Sequence, residues 1–181
     1  MLIVNLYGAP GAGKSTGAAY VFSQLKMRGI NAELVTEFAK DKVWEESKAV
    51  FDNQLYIFAK QYFRISRLHG KVDVVVTDSP LLLSSYYGDE DQALGKEFKD
   101  LVYKVSSRYK SYDAFIDRAK PYNPVGRFQN EEESNEISQE LKDFLRERHI
   151  YPKHYCGDTK GYDELVDDVF VTLSLIEEGV V

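Results

Sequence analysis

Apolar and polar positions follow two rhythms along the chain. Residues 2–7 are almost continuously apolar and are followed at once by Gly8. A short run of this kind reads as a strand buried on both faces. Residues 16–27 follow with helical spacing and stop at Gly29. Residues 31–36 read as a second strand. A long helical stretch comes next, with Asp41 as its candidate cap. Phe51, Leu55, Phe58, Tyr62 and Ile65 recur on it at spacings of four and three, up to a stop at Gly70. That spacing predicts one buried helical stripe. Residues 72–77 form a third apolar run, typical of a central parallel strand. Residues 92–110 read as a helix with Leu94, Phe98, Leu101 and Val105 on one face.

A fourth strand is predicted at residues 112–117. Residues 118–130 carry two prolines and a glycine and read as a loop. Residues 131–149 read as a helix with Ile137, Leu141 and Phe144 inward, and the run Glu131-Glu132-Glu133 suits its first turn. A short last strand at 151–155 and a closing helix at 163–178 complete the pattern. Strands alternating with helices predict an α/β architecture. This is a three-layer fold whose parallel sheet of about five strands is flanked by helices. The length of 181 residues fits one domain over 1–181 with a full core.

The junction of the first strand and first helix carries the most specific signal. Gly8, Ala9, Pro10, Gly11, Ala12, Gly13, Lys14 and Ser15 fit G-x-x-x-x-G-K-[ST], with Thr16 next. Glycines let successive backbone N–H groups converge on one anion, and the helix N-terminus adds its positive end. Lys14 is placed to reach the β- and γ-phosphates, and Ser15 to hold Mg²⁺. The pattern predicts a site for ATP and Mg²⁺.

Composition narrows the classes around that site. A net charge of −6 argues against a duplex-DNA binder. Cys156 is the single cysteine, which excludes an intramolecular disulfide and fits a reducing, cytoplasmic setting. The first residues are needed as a strand and do not read as a leader. No apolar stretch approaches the roughly 20 residues that cross a bilayer. His69, His149 and His154 lack metal-ligand spacing.

Ligands in such sheets bind beyond the carboxyl ends of the strands. Asp78 follows the third strand and is a candidate to hold Mg²⁺ through water beside Ser15, although Asp78-Ser79-Pro80 is also good helix-cap chemistry. Glu37 ends the second strand, where a carboxylate can take the proton of an attacking hydroxyl. Arg118 and Arg127 bracket most of a lid-like segment at about 118–130, suited to the charge of a moving phosphoryl group. Gln54 and Tyr56 are candidate acceptor contacts, one through its amide and the other through its ring.

Together these residues resemble small P-loop kinases. The phosphate loop, Thr77-Asp78-Ser79 and Gly126-Arg127-Phe128-Gln129 resemble the ribosylnicotinamide-kinase-like group of AAA-type ATPases. More weakly, Leu34-Val35-Thr36-Glu37 with Trp44, and Asn53-Gln54-Leu55-Tyr56, resemble the deoxyribonucleoside kinases. Those kinases usually carry an arginine after the acidic residue of the third strand, where this chain has Asp78-Ser79-Pro80. The resemblance implies transfer of the γ-phosphoryl of ATP to a nucleoside, nucleotide or related ribosyl compound. Two alternatives stand beside it. One is a nucleic-acid hydroxyl as acceptor, met by a basic groove at Lys96, Lys99, Lys104, Arg108 and Lys110. The other is an ATPase switch without an acceptor. No Asn/Thr-Lys-x-Asp base reader of the GTPase kind is present near the last strands.

Overall fold

Among the described residues, five strands run in one direction. They are β1 (Leu2–Tyr7), β2 (Ala32–Val35), β3 (Val74–Thr77), β4 (Lys110–Asp117) and β5 (Lys153–Cys156), in the sheet order β2-β3-β1-β4-β5. The computed structural model describes residues 1–45, 47, 50, 53–88, 94–123 and 129–180. Parallel strands need crossovers, and helices supply them: α1 (Lys14–Met27), α2 (Phe38–Trp44), α3 (Gln54–Ser66), α4 (Leu83–Tyr87), α5 (Gly95–Ser106), α6 (Glu131–Glu147) and α7 (Thr159–Glu177).

The apolar strands are explained by burial on both faces. On one face Leu2, Val4 and Leu6 of β1 pack with Val21 and Leu25 of α1 and Leu165 and Val169 of α7. On the other, Ile3 and Tyr7 pack with residues of α3, α5 and α6 such as Phe58, Val102 and Leu141. Helices on both faces make the predicted three-layer P-loop arrangement. Among the described residues, no helix is long and apolar enough to cross a membrane.

Local differences from the expected pattern have physical causes. The single helix expected from Asp41 to Gly70 is two helices. Asn53 caps the second, its side chain accepting from the Tyr56 N–H at 2.9 Å. Asp41 is no cap: it lies inside α2 and pairs with Arg64 of α3 at 2.8 Å. Phe51 lies outside the described residues. Leu55 was expected inward but is exposed, because α3 turns Ile57, Phe58, Gln61 and Ile65 to the core. Leu101 is likewise exposed, and Val102 takes its place in the core. The closing helix starts at Thr159, four residues early, because Asp158 caps it by accepting from the Gly161 N–H at 2.9 Å. The acidic run at 131–133 is the first turn of α6, closed by a reciprocal capping box between Asn130 and Glu133. The short helix α4 was not anticipated.

Candidate functional site

All five strands point their carboxyl ends at one edge, so the turns after β1, β2, β3, β4 and β5 gather there. The turn after β1 is the glycine-rich loop. Gly8 has φ 141°, and a Cβ on it would lie 2.7 Å from the Ile116 carbonyl oxygen. Gly13 has φ 104°, and a Cβ there would lie 2.4 Å from the Tyr162 hydroxyl. Both positions need glycine for conformation and for space. The loop tightens further where the Ala12 N–H meets the Ala9 carbonyl at 3.1 Å. Helix α1 begins immediately afterwards at Lys14.

Neighbouring elements brace this loop. The Tyr162 hydroxyl of α7 donates to the Gly13 carbonyl at 3.0 Å. The Ser134 hydroxyl of α6, itself buried, donates to the Pro10 carbonyl at 2.7 Å. Gly157 after β5 passes so close that a Cβ would lie 2.3 Å from the Ala12 carbonyl oxygen. The Lys14 ammonium lies over the loop and donates to the carbonyls of Gly8 at 2.7 Å and Ala9 at 3.2 Å. Ser15 and Thr16 are exposed on the first turn of α1, and Lys40 of α2 reaches the Ser15 hydroxyl at 3.4 Å.

The turns after β2 and β3 meet beside the loop, because these strands are neighbours with Val35 opposite Thr77. Asp78 is buried and its Oδ1 accepts from the Glu37 backbone N–H at 3.0 Å. The Glu37 carboxyl feels Lys14, Asp78, Lys40 and Asp41. Burial raises its pKa above the ordinary carboxylate value, Asp78 and Asp41 push the same way, and the two lysines oppose it. Tyr87 at the end of α4 also faces this carboxyl. Its hydroxyl pKa is pushed up to about 12, first by desolvation and then by the Glu37 charge, although 43% of the residue remains exposed.

Gln61 was missed in the sequence. It is buried on α3 and ties the two turns together. Its Oε1 accepts from the Phe38 N–H at 3.1 Å, while its Nε2 faces the carbonyls of Thr36 at 3.4 Å and Ser79 at 3.3 Å. The available signal was a polar residue between Phe58 and Ile65 at helical spacing, on the face that should be apolar. Gln54 opens α3, half-buried. Tyr56 is exposed and sets its ring edge-on to Phe38, the residue after Glu37, at 5.7 Å.

Arg118 follows β4 but its guanidinium turns to α6, with Asn135 and with Glu131 at 3.4 Å, and lies 5.4 Å over the Tyr122 ring. Its Nη1 is buried without a hydrogen-bond partner among the described residues. Arg127 lies outside the described residues. Of the basic residues on α5, Lys96 pairs with Asp100 at 3.0 Å on the solvent side. A hydroxyl on α1 and a buried carboxylate at the end of β3 are the hard oxygen donors that suit Mg²⁺. Among the described residues there is no cluster of three or more His, Cys, Asp or Glu able to hold a metal without help.

The model of the AAA domain family matches residues 3–159. No curated protein matches the chain. Solved structures that share its fold include two of NadR proteins. One is a NadR protein in complex with NR, at TM-score 0.67 and 21% identity, covering 92% of this chain and 50% of that one. The other is a NadR protein in complex with NAD and AMP-PNP, at TM-score 0.66 and 19% identity, covering 92% of this chain and 48% of that one. The chain thus spans about half the length of these two structures.

Proposed function

Because the chain belongs to the AAA domain family, with a nucleotide-binding P-loop at its centre, we propose that it is a phosphotransferase. In this reading it uses ATP and Mg²⁺ and moves the γ-phosphoryl to a hydroxyl or phosphate of a nucleoside, nucleotide or related ribosyl compound. The observation that carries the reading is the half-buried Glu37 at the turn after β2, whose backbone N–H bonds to Oδ1 of the buried Asp78 at 3.0 Å and whose carboxyl interacts with Lys14. A switch that only binds and releases nucleotide has less use for a base so placed. The NR and AMP-PNP named with the two fold neighbours support a small ribosyl acceptor beside an adenine nucleotide.

Each residue then has a defined task. Backbone N–H groups between Gly11 and Thr16 cradle the phosphates, while Pro10 has none to offer and that of Ala12 is held by the Ala9 carbonyl, and Lys14 leaves the loop carbonyls to follow the β- and γ-phosphates. Ser15, and Asp78 through water, would hold Mg²⁺, which supplies charge neutralisation on the phosphate chain. Glu37 takes the proton of the acceptor hydroxyl as its oxygen bonds to the γ-phosphorus, and the bond to the β–γ bridging oxygen breaks to release ADP. Arg127, and Arg118 if it turns from α6, balance charge on the moving group. Phe38, Tyr56 and Tyr87 wall the acceptor side, with Gln54 as an amide near its rim. Alignment and charge supply nearly all of the rate.

The test is transfer of labelled phosphate from ATP with Mg²⁺ to a panel of nucleosides, nucleotides, ribosyl compounds and oligonucleotides. Label on a small ribosyl acceptor, abolished in Lys14→Ala, is the expected result. Label on oligonucleotides alone identifies the nucleic-acid alternative. ATP turnover that no acceptor accelerates identifies an ATPase and refutes the transferase reading.

A further inference from the structure

The sheet face covered by α3, α5 and α6 should be apolar, yet a polar row crosses its middle. Asn5 of β1 stands in register with Thr77 of β3 on one side and Asp113 of β4 on the other. The Asn5 amide donates to Asp113 Oδ1 at 2.8 Å, and Ser111 donates to Oδ2 at 3.2 Å. Tyr7, two residues along β1 on the same face, is 2% exposed, and its hydroxyl has no hydrogen-bond partner among the described residues. Polar groups on an inner sheet face cost free energy unless something pairs with them. Of these, Asn5, Tyr7, Ser111 and Asp113 take no part in the phosphate site.

They line a cavity of about 210 Å³ that extends towards the C-terminal end of α5. At roughly 30 Å³ per water, that is the volume of about seven waters. Asp113 is the only charged residue in the lining, and Tyr103 and Tyr109 contribute aromatic surface. The spare capacity is mainly for accepting hydrogen bonds. A carboxylate offers about four acceptor positions, of which Asn5 and Ser111 take two. The Asn5 side-chain oxygen also remains available. One carboxylate, acceptors and tyrosine rings form a set that favours a positively charged guest.

We propose that this cavity is a second binding site, for a small organic cation whose ammonium group sits against the Asp113 carboxylate and the Tyr7 hydroxyl and whose apolar part lies against Tyr103 and Tyr109. Burial raises the Asp113 pKa, so a bound cation is the partner that would favour its ionised form. The site is distinct from the phosphate loop and does not depend on the transferase reading.

Benzylamine and its uncharged analogue benzyl alcohol test it, by amide chemical shifts of the full chain. Benzylamine should produce saturable shifts at Asn5, Ser111 and Asp113, and benzyl alcohol should bind at least about ten-fold more weakly, as loss of a charged hydrogen bond implies. Asp113→Asn should weaken benzylamine by about ten-fold or more. Tyr7→Phe should weaken it several-fold without lowering the thermal midpoint, since the hydroxyl it removes lacks a partner. Equal affinity for the two probes, unchanged affinity in both variants, or shifts confined to the phosphate loop would overturn the proposal. So would the absence of any saturable shift with millimolar benzylamine, which would mark the cavity as filled by water alone.

Discussion

The backbone N–H of Glu37 donates to the Oδ1 of Asp78 at 3.0 Å. One bond thus joins the turns after two neighbouring strands and fixes the approach of both acids to the phosphate loop. Under the proposed function, the other carboxylate oxygen of Asp78 would face the metal-bound water. The bond also brings the Glu37 carboxyl close enough to Asp78 for the two charges to interact.

Glu37→Gln tests the base directly. The amide keeps the shape of the side chain and the backbone bond to Asp78 but cannot take a proton. Turnover should fall by about a hundred-fold or more, the usual scale of a lost general base. ATP affinity, measured by calorimetry, should change by no more than about three-fold, because the phosphate contacts come from the loop. Loss of nucleotide binding with normal turnover at saturation would remove Glu37 from the chemistry.

The same carboxyl sets a pH dependence with a definite sign. Burial raises its pKa above the ordinary carboxylate value despite Lys14 and Lys40. As a base it works only when ionised, so the acid limb of kcat/KM should lie above the roughly 4.3 of a free glutamate. For stability the direction is opposite. The folded chain holds this proton more tightly than the unfolded one. The contribution is therefore fully present below the unfolded pKa and is lost as pH rises through the folded pKa. Glu37→Gln should consequently raise the thermal midpoint at pH 7 while lowering activity, and the gain should shrink at pH 4. Calorimetric scans at the two pH values check both signs.

Gln61 holds the turns from behind, and its loss should show in both stability and turnover. Gln61→Leu fills nearly the same space but leaves the buried Phe38 N–H without its acceptor. The cost of such an orphaned donor is about 1–3 kcal/mol. At roughly 2–4 °C per kcal/mol for a chain of this size, the thermal midpoint should fall by several degrees. Turnover should fall further than stability alone explains, because the Glu37 and Asp78 turns lose their shared bracket. A variant with a lower midpoint but normal kcat at 20 °C would limit Gln61 to a structural role.

The contrast between Gln54 and Gln61 shows what the sequence could disclose. The phosphate loop is a local device whose glycines, lysine and serine are contiguous, so its spacing alone revealed it. The positions of Asp78 and Glu37 side by side were legible because strand ends converge in a parallel sheet, whatever the details of the helices. The acceptor side depends on how α2 and α3 are cut and rotated. Asn53 starts α3 afresh and turns Gln61 rather than Leu55 inward. No local pattern before Asn53 specifies that rotation. Arg118 was placed correctly at the end of β4, but its preference for Asn135 and Glu131 depends on where α6 docks.

Gly17 on α1 offers a packing test of the brace under the loop. A Cβ there would lie 2.6 Å from Tyr162 Cε1 and 3.2 Å from Leu6 Cδ2. Alanine is ordinarily the better helix former by about 1 kcal/mol. Here Gly17→Ala should instead destabilise by about 1–3 kcal/mol through overpacking. The strain should be relieved in the double variant with Tyr162→Leu, giving a coupling energy outside the roughly 0.5 kcal/mol expected of independent sites. Urea denaturation of the two single variants and the double variant measures it. Additive effects would show that the ring moves aside without cost.

Ser134 tests whether the loop is held from above by α6. Its hydroxyl is buried and donates to the Pro10 carbonyl at 2.7 Å. It therefore connects the first turns of α6 to the phosphate loop. Ser134→Ala removes the donor while keeping the helix, at a cost of about 1 kcal/mol. If the bond pre-orders the loop for phosphates, ATP affinity should fall several-fold, since part of the binding energy is then spent on fixing the loop. Calorimetric titration of ATP into both proteins, each shown folded at the working temperature, gives the comparison. An unchanged Kd with a lowered thermal midpoint would mean that Tyr162 and Gly157 suffice to set the loop, leaving Ser134 to hold only α6.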